Sequence, residues 1–145
     1  MSIKVGINGF GRIGRAVLKN ILQDPECSNI EITGINDLAD PATLAHLFKY
    51  DSVQGIFPQE VTPNSDGILI GGKAIKVISE REPVKLPWKT LGVDIVIEST
   101  GLFTKREAAK QHLDAGAKKV IISAPSKNPD VTVVLGVNQE SYLPE

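Results

Sequence analysis

The chain has a single cysteine, no block of like charge and no long apolar run. Each lack excludes something. Cys27 alone cannot close an internal disulfide, so no cross-linked framework of the secreted kind is available. Its 16 basic and 17 acidic residues are interspersed and give a formal net charge of −1, so no basic face advertises nucleic acid and no charged tail is present. Nothing approaches the roughly eighteen consecutive apolar residues of a membrane span. The start lacks the basic-then-apolar pattern of a secretory signal, and neither repeats nor low-complexity segments occur. With 145 residues of which 41% are hydrophobic, the expectation is one domain, 1–145, with an adequate core in a reducing, cytoplasmic setting.

What is present starts with Ile7-Asn-Gly-Phe-Gly-Arg-Ile-Gly-Arg15, in which Gly9, Gly11 and Gly14 have the G-x-G-x-x-G spacing. Three glycines alone are weak evidence, and context decides. Ile3 to Asn8 reads as a buried strand, and Ile13, Val17, Leu18, Ile21 and Leu22 recur at helical spacing, so the glycines sit at a strand-to-helix junction. Gly9 would allow the sharp turn, Gly11 would let a pyrophosphate approach the backbone, and Gly14 would let helix and sheet pack closely. The helix would then offer unpaired N–H groups to phosphates.

A second strand, Ile30 to Ile35, ends at Asn36-Asp37, roughly twenty residues past the motif, where an acid can accept both hydroxyl hydrogens of an adenosine ribose. Asp37 is the candidate. The same Asn-Asp-Leu-Ala-Asp-Pro stretch is also good turn and helix-capping chemistry.

Farther on, a short helix is expected within Pro41 to Tyr50, with Leu44, Leu47 and Phe48 on one face, then a loop from Asp51 to Asp66. Ile68 to Ile78, interrupted by Gly71-Gly72, reads as a β-hairpin inserted in an otherwise parallel pattern. Pro83 to Trp88 resists regular structure. Val93 to Glu98 is a buried strand, followed by Ser99-Thr100-Gly101. A helix from about Lys105 to Ala115 has Thr104 as its expected N-cap and Gly116 as its stop. Lys119 to Ser123 and Val131 to Leu135 read as two more strands. Apolar strands alternating with helices imply a doubly wound, mainly parallel α/β sheet covered on both faces. Ligands bind such sheets at the carboxyl ends of the strands, which nominates Gly9 to Ile13, Asn36, Asp37, Ser99 to Gly101 and Ser123 to Ser126.

Taken together, the Ile7–Arg15 run, Asn36-Asp37, Lys49-Tyr-Asp-Ser-Val53, Ile78-Ser-Glu-Arg81, Glu98-Ser-Thr-Gly101, Gly116 to Ser126 and Gly136-Val-Asn138 resemble, in order, the amino-terminal half of phosphorylating glyceraldehyde-3-phosphate dehydrogenases. An erythrose-4-phosphate dehydrogenase is built on the same pattern. The resemblance implies a Rossmann-type domain that binds NAD. Arg12 and Ile13 would present main-chain amides to the pyrophosphate, Asp37 would hold the adenosine ribose, Arg81 would lie along the adenine edge, and Ser99, Gly101 and Ser123 would approach the adenine and nicotinamide sides, beside Thr100, which its strand-tip position nominates. Without the resemblance, Arg81 reads as a solvated charge. Leu38 after Asp37 suits NAD over NADP, because the carboxylate would repel a 2′-phosphate.

The same resemblance implies a parent enzyme, a homotetramer, that oxidises an aldehyde through a cysteine thiolate with a histidine base. The cysteine would lie in a Ser-Cys-Thr-Thr-Asn segment beyond Gly-Val-Asn, which the 145 residues do not contain, so the chain alone is expected to bind the dinucleotide without turnover. Cys27 is a poor substitute, since Asp24 and Glu26 oppose thiolate formation. His46 and His112 lack partners for a metal or nucleophile site and read as packing or solvated residues, and Phe10 and Trp88 as wall and anchor. The other reading is an interaction module that keeps the fold without using NAD, self-associating through exposed apolar surface.

Overall fold

The computed structural model describes residues 2–144. Strand β1 (Ile3–Asn8) leads into helix α1 (Arg12–Gln23), and β2 (Ile30–Asn36) into α2 (Pro41–Lys49). Short strands β3 (Tyr50–Asp51), β4 (Gly55–Ile56) and β5 (Val61–Pro63) precede β6 (Gly67–Ile70) and β7 (Lys73–Ile78). A 3-10 turn at Pro83–Lys85, the short α3 (Trp88–Leu91), β8 (Ile95–Glu98), α4 (Arg106–Asp114) and β9 (Lys119–Ile122) follow.

Seven strands form one sheet in the order β5-β6-β7-β2-β1-β8-β9. From β7 to β9 every pairing is parallel, and β5 and β6 run antiparallel at one edge. The chain thus winds outward from β1 in both directions, and the switch of direction lies between β1 and β8, where open α/β sheets take their ligands.

Alternation along the strands sends side chains to two cores. Val5 and Ile7 of β1 join Leu18 of α1, Leu44, Ala45 and Phe48 of α2, and Ile68, Ile70 and Ile75 of the hairpin. On the opposite face Trp88 packs with Leu86, Val93, Val96 and Ala117. The indole lies so close to the sheet that a Cβ on Gly6 would be 2.8 Å from its Cζ3, and one on the paired Gly34 would be 3.4 Å away. Trp88 is the anchor expected of it, fully buried.

The expected hairpin across Gly71-Gly72 forms, with both glycines at positive φ, as an antiparallel β6-β7 pair in an otherwise parallel sheet, which it joins where β7 pairs with β2 through Gly34–Lys76, Ile35–Val77 and Asn36–Ile78. Other expectations need correction. The separate two-stranded piece is β3-β4, which starts at Tyr50 and runs into the stretch from Asp51 to Asp66 expected to be a loop; that stretch also contributes the edge strand β5. Leu47 is 39% exposed and Ala45 takes its place beside Leu44 and Phe48. At about 100° per residue, position 47 falls outside the arc spanned by 44, 45 and 48.

Helix α4 starts at Arg106 with Lys105 as its N-cap, and Thr104 is not the cap; a lysine ammonium has no lone pair to offer the first helical N–H groups, so no side-chain capping bond forms. Val131 to Leu135 forms no strand. Asn138 instead folds that segment on itself, accepting from Val134 N–H at 2.7 Å and donating to Thr132 O at 2.9 Å.

Candidate functional site

The first helix begins where the glycine pattern demands. Gly9, at φ +92°, turns the chain out of β1, and a Cβ there would lie 2.8 Å from the Thr100 nitrogen, so this glycine also admits the tip of β8. Gly14 packs its α-carbon against the turn, where a Cβ would come within 2.3 Å of Gly9 O. Gly11 differs. A Cβ on it would meet nothing within 4 Å, so the space in front of the backbone there is open.

The first helical bond of α1 runs from Arg15 N to Gly11 O, which leaves the preceding amides, Arg12, Ile13 and Gly14, ahead of the hydrogen-bond ladder. Gly11 gives no side-chain cap and the first turn carries no acid, so neither offsets the partial positive charge of this helix end. Arg12 and Ile13 are both exposed beside it. Residues of this kind fit the linked phosphates of a dinucleotide.

Asp37 leaves β2 next to this turn. One carboxylate oxygen accepts from Phe10 N–H at 2.8 Å, the other from Ala39 N–H at 3.0 Å. The turn chemistry considered for Asp37 is therefore realised, and the same carboxylate braces the glycine loop, with lone pairs left for further donors. Helix α2 is capped by Asp40, which accepts from Thr43 N–H at 3.0 Å. Phe10, 1% exposed and stacked 5.9 Å from Phe48, is a wall of the core beneath.

The remaining predicted residues gather along the same edge. Arg81 is exposed just past β7, Ser99 to Gly101 follow β8, and Ser123 follows β9 with its N–H bonded to Glu98 O at 3.0 Å. Gly101, at φ +76°, has open space in the Cβ direction, as Gly11 does. The hydroxyls of Ser99 and Thr100, which the sequence offers outward, donate inward: Ser99 Oγ to Gly9 O at 2.6 Å, Thr100 Oγ1 to Glu98 Oε1. Asn36 is likewise engaged inside the protein. Its Nδ2 donates to Asn8 Oδ1 at 2.7 Å and to Glu80 O at 2.8 Å, while its Oδ1 accepts from Glu80 N–H at 2.9 Å.

Beneath this edge lies a polar cluster that sequence reasoning missed. Glu98, Asn8, Asn36 and His112 are all buried. Glu98 Oε2 is 2.8 Å from His112 Nε2 and accepts from Asn8 Nδ2 at 2.6 Å, and Oε1 accepts from Thr100 N–H at 2.9 Å. On the far side of the ring, Trp88 Nε1 donates to His112 Nδ1 at 3.0 Å. Burial pushes the Glu98 carboxyl up, but the hydrogen bonds from His112, Thr100 and Asn8 outweigh it and hold the group below its usual range. A signal was available: Asn8 and Glu98 are polar residues directly after the apolar runs Val5 to Ile7 and Ile95 to Ile97. The packing expected of His112 holds; what the helix pattern could not reveal is what the ring packs against.

Cys27 lies in the 3-10 turn that precedes β2, at the opposite end of the parallel strands from the glycine turn. Among the described residues no cluster of His, Cys, Asp and Glu could hold a metal ion, and no helix is long and apolar enough to cross a membrane.

Compared with known proteins, residues 3–106 match the family model described as glyceraldehyde 3-phosphate dehydrogenase, NAD binding domain. The chain is 58% identical over 145 residues to a glyceraldehyde-3-phosphate dehydrogenase of Geobacillus stearothermophilus, with all of this chain and 42% of that protein aligned. It is 56% identical over 144 residues to one from Streptomyces coelicolor, covering 99% of this chain and 42% of the relative. Against glyceraldehyde-3-phosphate dehydrogenase 1 of Bacillus subtilis the identity is 54% over 142 residues, again 42% of the relative's length. The chain thus spans about two fifths of the curated relatives it matches.

Proposed function

The chain belongs to the family of glyceraldehyde 3-phosphate dehydrogenase NAD-binding domains, and from that premise we propose that residues 1–145 form a domain that binds NAD along the carboxyl edge of the sheet. The observation that carries this reading is the open face of Gly11 at an uncapped helix start, beside the Asp37 carboxylate. The amides of Arg12 and Ile13 hold the pyrophosphate and Gly9 and Gly14 shape the turn. Asp37 takes the adenosine ribose and Arg81 lies along the adenine. Ser99, Thr100, Gly101 and Ser123 line the crevice on the β8 and β9 side, with Asn36 acting from behind. Asp37 followed by Leu38, with no cation beside them, favours NAD over NADP.

NAD, when bound, accepts a hydride. In the whole protein we assign this chemistry to the phosphorylating oxidation of glyceraldehyde 3-phosphate, in a homotetramer in the cytoplasm. Cys27, at the wrong end of the strands, does not supply its thiolate. Calorimetric titration of this chain with NAD tests the reading. Binding is expected, weakened about tenfold or more in Asp37→Ala, the loss of a charge-assisted hydrogen bond. No binding by the unaltered chain, or equal affinity in the variant, would overturn it.

A further inference from the structure

Glu98 ends β8 as a buried carboxylate that the NAD reading leaves without a role. Its surroundings define the protonation pattern. An indole N–H can only donate, so His112 Nδ1, 3.0 Å from Trp88 Nε1, presents a lone pair. The ring proton is therefore on Nε2 and points at Glu98 Oε2, 2.8 Å away. His112 is neutral, and Asn8 Nδ2, 3.4 Å from that protonated nitrogen, bonds to Glu98 instead, at 2.6 Å. Four donors converge on one carboxylate: His112 Nε2–H, Asn8 Nδ2–H, Thr100 N–H and the Thr100 hydroxyl. Among the described residues no lysine or arginine pairs with it.

The hold spreads in two directions. Toward β8 it fixes the main chain of Thr100, between Ser99 and the left-handed Gly101. Toward β2 it orients the Asn8 amide, whose Oδ1 accepts from Asn36, and Asn36 in turn clamps both the N–H and the C=O of Glu80, next to Arg81. Every amide in the row has its direction set, by a carboxylate at one end and a peptide group at the other.

We propose that Glu98 is a positioning residue for dinucleotide binding, holding Thr100 on one flank of the crevice and, through Asn8 and Asn36, the Glu80-Arg81 main chain on the other, so that both flanks are preset before the ligand arrives. This inference rests on the NAD reading above. A glutamine cannot take over, although its volume is the same. Its NH2 would face His112 and Asn8 if it replaced Oε2, or Thr100 twice if it replaced Oε1, and Trp88 prevents His112 from exchanging donor for acceptor.

The test uses this chain with NAD as the probe, followed by calorimetry and by NMR of the histidine ring nitrogens. In the unaltered chain the His112 ring should be neutral with its proton on Nε2, and NAD should bind. In Glu98→Gln, measured at low temperature where circular dichroism reports a folded chain, the affinity should fall about tenfold or more, with the Thr100 and Arg81 amide signals displaced. A merely structural role would lower the melting temperature and leave the affinity of the folded protein unchanged, and that result overturns the proposal. Should Glu98→Gln not fold, Asn8→Ala decides: it keeps the carboxylate but cuts the relay from Glu98 to Asn36, and it should weaken NAD measurably with the Arg81 amide signal displaced, whereas unchanged affinity would overturn the proposal. A proton found on Nδ1 in the unaltered chain would overturn it too. Failure of the unaltered chain to bind NAD would remove the NAD reading itself and this inference with it.

Discussion

Single glycines in the turn do separable work, and the geometry says which. A methyl group on Gly14 would press within 2.3 Å of a main-chain oxygen that cannot swing away, whereas one on Gly11 would enter open space at an ordinary φ of −76°. Overpacking of this kind costs about 1–3 kcal/mol, more than the up to about 1 kcal/mol that alanine gains over glycine inside a helix. Gly14→Ala should therefore lower the urea midpoint markedly, and Gly11→Ala, at an N-cap where alanine is poorer than glycine but meets no clash, should lower it less while weakening NAD. Equal stabilities for the two variants would contradict this division. At this scale the sequence was informative about backbone and less so about side chains. The spacing of Gly9, Gly11 and Gly14 located the turn, but that Ser99 turns its hydroxyl hydrogen inward depends on Gly9 O, 90 positions away, and that Thr100 does so depends on a Glu98 carboxylate held inside by the tertiary fold.

Among the elements, α2 depends on a few aromatic contacts. Phe48 is fully buried, stacked near Phe10 and 4.8 Å from Phe57, and so joins the glycine turn, the helix and the segment after β4. Phe48→Ala should cost about 3–5 kcal/mol in chemical denaturation, the usual cost of an aromatic cavity; a change below about 1 kcal/mol would mean that the site collapses around the gap. Elements with strong internal signals were legible: β1, α1, β2 and the Gly71-Gly72 hairpin stand where period and turn chemistry put them. Val131 to Leu135 was misread because β-branched composition reports a preference, not a partner. The edge strand β5 was missed for the opposite reason, its three residues being defined only by pairing with β6.

For the whole molecule, buried and bridging carboxylates tie stability to acidity. Asp51 has its pKa lowered to about 2 by the N–H groups of Gln54 and Val53 and by Lys19, a buried lysine of α1 that it reaches at 3.2 Å. Glu98 is lowered as well. A carboxylate whose folded pKa lies below its unfolded value of about 4 contributes stability that is complete above that value and lost as pH falls toward the folded one. Unfolding free energy measured by urea should thus fall between about pH 4 and pH 2, and Asp51→Asn should fall less steeply over that window. Identical slopes would show that Asp51 unfolds with the pKa it has when folded.

By itself the sequence determined the doubly wound plan and the dinucleotide turn, because strand periodicity, helix periodicity and glycine spacing are local and are written within a few neighbouring residues. Only the tertiary structure decided how the strand tips are held. Asn8 meets Glu98 across 90 positions and Asn36 meets Glu80 across 44, and hydrogen bonds between such distant residues leave no periodic trace in the chain. They exist because parallel pairing of β1 with β8 sets Asn8 opposite Glu98, and the packing of α4 against that face delivers His112 between Glu98 and Trp88.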